Sequence, residues 1–213
     1  MAIIASDKGG GVNFEPIPAG MYVARCYQML HIGTVETVYE GVKKDQNQVI
    51  ITWEFPNDKK VFKEELGEQP MVISKIYTLS LYETSGLRIL LESWRGKSFS
   101  KEEAESFDIT KVLGAPCLIN VKHVQGQGKN AGKVYAQIAS VSPLMKGTIC
   151  PPAINPPVEF SVREFDKVKF DSFPDWLKDK IKSSKEYKEM ASGNHVEQSA
   201  THEQTDDSMD LPF

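Results

Sequence analysis

The sequence predicts a mainly β fold. It has five strands with a helical insert between the third and fourth, followed by a C-terminal helix and an acidic tail without a core. Three observations lead there. β-branched and aromatic runs recur between clusters of Gly, Pro, Asn and Asp. The hydrophobic period turns helical in mid-chain. The last stretch, residues 191–213, is nearly free of hydrophobics, so it is expected to be disordered. The 213 residues are 40% hydrophobic and 9% aromatic, enough for a real core in one domain. No apolar run approaches the roughly 18 residues of a membrane span. MAIIASDKGGGVNF has no basic region leading into an apolar stretch, so no secretory signal is expected. Cys26, Cys117 and Cys150 are odd in number and far apart, matching neither a disulfide framework nor a metal knuckle. An intracellular, reduced protein is the expectation.

Residues 1–20, rich in Gly and Pro, read as an N-terminal arm. The first strand is MYVARCYQMLHIGTVETVY, with Gly33 marking a bulge or sharp bend. GVKKDQNQ reads as a turn, QVIITWEF as the second strand, residues 57–70 as a charged loop or short ribbon, and MVISKIYTLSL as the third strand. Leu87, Leu90, Leu91 and Trp94 then fall at helical spacing, and Gly96 stops that helix. Ser100 and Glu103 form a capping box for a second short helix, and Asp108 caps one further turn. CLINVKHV and VYAQIASVSPL are the fourth and fifth strands, joined by the glycine-rich hairpin QGQGKNAGK. This order is that of the five-stranded OB-fold barrel, so residues 21–150 form the expected domain. Residues 151–190 hold a Pro-rich connector, CPPAINPP, and a helical extension in which Pro174 opens one helix.

The net charge of −4 is uneven. Residues 191–213 hold five acids and no Lys or Arg, which leaves the rest of the chain at +1. A near-neutral body can still sort its cations onto one face, so nucleic acid is not excluded. Single strands need flat rings for bases and cations for phosphates. Strand parity puts Arg25, Tyr27 and His31 on one face, and Lys75 with Tyr77 on another. In the fourth strand Lys122 opposes an apolar set, as Tyr135 does in the fifth. Lys129 and Lys133 in the glycine-rich hairpin, and Lys43 and Lys44 in the first hairpin, could close over a strand. Trp53 and Trp94 read as core. Enzyme signatures are missing: the four His lack HxH or HExxH spacing, and the glycine runs lack a GK[ST] ending. No GxSxG motif occurs. Neither a catalytic residue nor a cofactor or metal is expected.

The chain ends Asp206-Asp207-Ser208-Met209-Asp210-Leu211-Pro212-Phe213. An acidic arm ending in an apolar hook suits a peptide-in-pocket contact, with Phe213 in a pocket and the acids on a basic rim. Asp206, Asp207, Asp210, Leu211, Pro212 and Phe213 resemble the acidic tip of bacterial single-stranded DNA-binding proteins. Ser208 and Met209 interrupt the acids, and Leu211 stands where isoleucine is usual. The body is similar to bacteriophage-encoded single-stranded DNA-binding proteins, on WRGKSFSKEEAESFDITKVLGAPCLINVKH (94–123) and FPDWLKDKIKSSKEY (173–187). The resemblance spans most of residues 20–190. It implies an OB-fold that coats single strands during phage replication in the host cytoplasm. It also implies a tail that recruits replication or repair proteins and competes with DNA. A protein-interaction adaptor and a recombination annealing protein are the alternatives.

Overall fold

A 20-residue strand, β1 (Gly20–Tyr39), organises the molecule. In the computed structural model, which describes residues 15–39, 41–62 and 64–199, β1 pairs with three other strands. β2 (Val42–Val61) runs antiparallel along it from Arg25 to Tyr39, and β4 (Pro116–Gln125) pairs with its first residues, Gly20–Arg25. β3 (Glu68–Thr78) flanks β2, and β5 (Val134–Ser142) flanks β4. The resulting order is β3-β2-β1-β4-β5. A short sixth strand, β6 (Val158–Ser161), lies parallel to Gln28–His31 of β1. The sheet is not closed: β3 and β5 are both edges. Pro16 and Ile17 of the arm lie against both edges where a closed barrel would pair them, and a proline there brings no N–H to a ladder.

The helical insert is built as its sequence dictates. α1 (Gly86–Arg95) starts where Ser85 accepts from Arg88 N and ends at Gly96, whose φ of 67° is left-handed. It buries Leu87, Leu90, Leu91 and Trp94. Trp53 is fully buried against Trp94, at 5.8 Å between ring centroids, and Trp94 Nε1 donates to Pro116 O at 3.0 Å. α2 (Lys101–Glu105) carries both halves of its capping box. The Arg95 guanidinium lies over Phe99 and Phe107, at 4.2 and 4.9 Å, and donates to Glu103, which ties the two helices together. These groups close a first core with Ala24, Cys26, Met29, Ile51 and Phe55 from the sheet.

A second core lies beneath the C-terminal extension. Leu30, Ile32, Val35 and Ile50 pack there on Phe160, Phe170, Phe173, Leu177 and Ile181. β1 serves both cores because its register shifts between Cys26 and Gln28, and again between His31 and Gly33. Each bulge inserts one residue and exchanges the faces. Ala24 and Cys26 therefore enter the first core on even numbers and Met29 on an odd one, while Leu30 and Ile32 turn to the second. Gly33, with φ of 98°, is the second bulge. A Cβ there would stand 2.6 Å from Glu186 Oε2 and 2.9 Å from Val162 Cγ1.

Several sequence expectations are corrected. GVKKDQNQ is not a turn, since β2 already begins at Val42. Of the two readings of residues 57–70 the short ribbon is the one present, since β2 resumes at Lys59 past a bulge and pairs with the start of β3. The helix expected from Pro174 is two, α4 (Asp175–Lys182) and α5 (Lys185–Ser199), and α3 (Lys167–Ser172) precedes them. α5 runs past residue 191, where the tail was expected to begin.

Candidate nucleic-acid interface

The open seam between β3 and β5 is a cleft. The two edges advance side by side without pairing. Val72, Ile73 and Ser74 stand across from Lys133–Ala136, and farther on Lys75 and Tyr77 stand across from Ile138–Val141. The chambers of this cleft take in Gln69–Ser74 of β3, which at about 3.3 Å per residue gives its open part a length near 20 Å. Its middle holds about 700 Å³ between Pro16, Ile17, β3 and the start of β5. Beyond the arm a second chamber of about 490 Å³ opens, with Tyr27, Lys59, Lys60, Phe62 and Pro70 among its walls. Ile17, Pro16 and Val72 line both chambers, so the two adjoin.

Local contacts hold the arm in place. Tyr22 stacks on Phe55 at 4.6 Å, and its hydroxyl donates to Pro18 O at 2.8 Å. His123 Nε2 lies 2.8 Å from Ile17 O, which can only accept, so that nitrogen carries the proton. Lys60 pairs with Glu15 at 2.7 Å and holds the Glu15 carboxyl below its ordinary range. Glu15 is the one acid among the residues that line these two chambers, against Lys59, Lys60 and Lys133. Rings are exposed beside these cations: Phe62 to 48% and Tyr135 to 40%. Cations beside accessible rings in a groove are what a sequence-tolerant single-strand site requires.

The sequence candidates divide. Lys133 and Tyr135 line the middle of the cleft, Tyr27 the end chamber and Lys75 its far part. Burial, with smaller contributions from Glu54 and Cys26, raises the Tyr27 hydroxyl above its ordinary pKa. Tyr77 is corrected: its ring is only 6% exposed and belongs to the first core, burial drives its pKa up, and Lys75 covers the ring at 5.1 Å. A base has no access to either face.

Arg25 is corrected as well. Its guanidinium donates to Gly114 O at 2.6 Å, to Pro151 O at 2.9 Å and to Cys150 O at 3.4 Å, so its donors are committed to backbone. The shared face of Arg25, Tyr27 and His31 does not exist, because the bulge after Cys26 separates them. His31 instead bridges Ser161 Oγ and Asn47 Oδ1, at 3.0 and 2.7 Å. Lys43 and Lys44 are exposed near the tip of the β1–β2 ribbon, with Lys43 on Glu36 at 2.8 Å, and Lys122 is exposed on β4. None of the three lines the cleft. Lys129 sits on the turn Gly128–Asn130, and its side chain falls outside what is described. Asp206, Asp207, Asp210, Leu211, Pro212 and Phe213 lie outside the described residues.

Sequence reasoning passed over Lys59, Lys60 and Phe62, because residues 57–70 read as a charged loop or short ribbon and no cation was matched there with a ring. The available signal was a basic pair two residues before an aromatic, resuming a strand after Pro56. Glu54 was also missed. It is fully buried, and its carboxylate accepts from Ile154 N, Asn155 N and Asn155 Nδ2 at 2.8, 2.9 and 2.7 Å. Arg25 and Glu54 are cross-strand partners in the β1–β2 register, so one face of the ribbon clips the Pro-rich connector at both ends. Among the described residues no group of three or more His, Cys, Asp or Glu could hold a metal ion. Among the described residues no helix is long and apolar enough to cross a membrane. No family model, no curated protein and no solved structure matches the chain.

Proposed function

We propose that this chain is a non-catalytic, sequence-tolerant single-stranded DNA-binding protein whose strand lies in the β3–β5 cleft. The observation that carries this reading is the cleft itself, an open seam with Phe62 and Tyr135 exposed beside Lys59, Lys60 and Lys133. At the 3.4 Å per nucleotide of one duplex strand, about 20 Å holds about six nucleotides, and fewer when stretched. That falls within the range of one OB fold. The strand order β3-β2-β1-β4-β5 with helices between β3 and β4 supports an OB-type barrel held open at its last seam. On this reading residues 206–213 form a docking tip for replication or repair proteins, and the setting is phage DNA replication or recombination.

The test is fluorescence anisotropy of labelled oligo(dT) with the full chain at low and high salt. Binding that weakens with salt supports the reading through counterion release. Absence of binding at low salt, also from a chain ending near residue 199, refutes it. The unpaired edges of β3 and β5 favour one competing reading, an adaptor that adds an extended peptide to its sheet. Such a protein would lack salt-sensitive oligonucleotide binding.

A further inference from the structure

The end chamber differs from the rest of the cleft because it combines apolar walls with uncommitted hydrogen-bonding groups. Phe62, Pro70 and Met71 supply wall, and Tyr27, Gln69 and Asn155 supply polar atoms. The Gln69 amide nitrogen donates to Leu66 O at 2.8 Å, and that of Asn155 to Glu54 Oε2 at 2.7 Å. These bonds set both amide orientations and leave each carbonyl oxygen as an acceptor. We propose that the chamber receives one nucleobase turned out of the bound strand and selects for an exocyclic amine, so that cytosine is preferred over thymine.

The inference rests on the single-strand reading above. Cytosine offers the N4 amine as donor where thymine offers O4, a second acceptor. Two amide carbonyls can each take an N–H from the N4 amine, whereas thymine has the single N3–H, flanked by two oxygens. The chamber's 490 Å³ lies within the range of small-ligand sites. Pro16, Ile17 and Val72 border both this chamber and the middle of the cleft, so on this proposal a base turns in past them while its neighbours stay on the strand. The half-exposed Phe62 gives that base a ring to stack on, and Lys59 stands beside it for the adjoining phosphate.

The experiment is competition against labelled oligo(dT) by unlabelled oligo(dC), oligo(dT) and oligo(dU) of equal length, using the full chain. Oligo(dU) separates the amine from the thymine methyl. We expect oligo(dC) to compete roughly tenfold better than the other two, the discrimination of one good base contact. Gln69→Leu, checked for unchanged urea unfolding, should weaken oligo(dC) and bring the ratio toward one. Salt-sensitive binding with equal affinity for all three, or a ratio that Gln69→Leu leaves intact, overturns this inference alone. Failure of every oligomer to bind overturns the single-strand reading with it.

Discussion

Replacing Glu54 with glutamine tests whether the connector is held by the buried carboxylate. Three N–H donors converge on its two oxygens. Glutamine keeps one oxygen and turns an NH₂ on the other donor. In its better orientation it retains both bonds from Asn155 without their charge assistance, at a cost of about 1 kcal/mol each. It also leaves Ile154 N unpaired, for about 1–3 kcal/mol more. The expected loss is roughly 3–5 kcal/mol, less if residues 154–155 swing outward to water. For a chain of this size that lowers Tm by about 6–20 °C. Urea unfolding at constant m-value reads the loss, and limited proteolysis should cut residues 150–157 faster. A change below about 0.5 kcal/mol with unchanged proteolysis would refute the clasp. Because Asn155 lines the end chamber, the substitution should also weaken any preference for oligo(dC).

Three further outcomes are expected. Burial lowers the pKa of His31 from its ordinary 6.5, more than its bond to Asn47 raises it. The unfolded chain then binds the proton first, so this group adds a loss of stability as pH falls below about 6.5; unfolding midpoints of the full chain and His31→Gln between pH 5 and 8 should diverge only on the acid side. Gly33→Ala places a Cβ at φ of 98° within 3.0 Å of Glu186, Val162 and Ser184, and should destabilise by about 2 kcal/mol or more, whereas unfolding like the parent would mean the bulge relaxes freely. Replacing Lys59, Lys60 and Lys133 with alanine should reduce the salt slope of oligo(dT) binding by about 2. The same change at Lys43, Lys44 and Lys122, outside the cleft, should leave the slope nearly unaltered, and equal effects of the two sets would argue against the cleft.

Much of the framework was legible because it is local. The stripe Leu87, Leu90, Leu91 and Trp94, the Ser100–Glu103 box and the glycine stop at Gly96 each act within a few residues, and all appear as read. Gly33 was legible as a bulge because few backbones other than glycine tolerate its φ. The faces of β1 were not, since alternation carries a face only until the first bulge, and Cys26–Gln28 lies between Arg25 and His31. Tyr77 shows the same limit: parity groups it with Lys75, but only the packing of α1 and β2 decides that this face is core.

The sequence by itself determined the order of the five main strands, the helical insert between the third and fourth, and which residues of α1 are apolar toward the body. It also determined that the acidity is confined to residues 191–213. Those properties follow from backbone propensity, side-chain periodicity and composition, which need no distant partner. Tertiary structure alone decided the rest. β6 pairs with β1 across more than a hundred residues, Arg25 and Glu54 are spent on the connector, and Lys59, Phe62, Lys133 and Tyr135 meet along one cleft. Each of these depends on the closeness of segments far apart in the chain, and no periodicity within a single segment encodes that closeness.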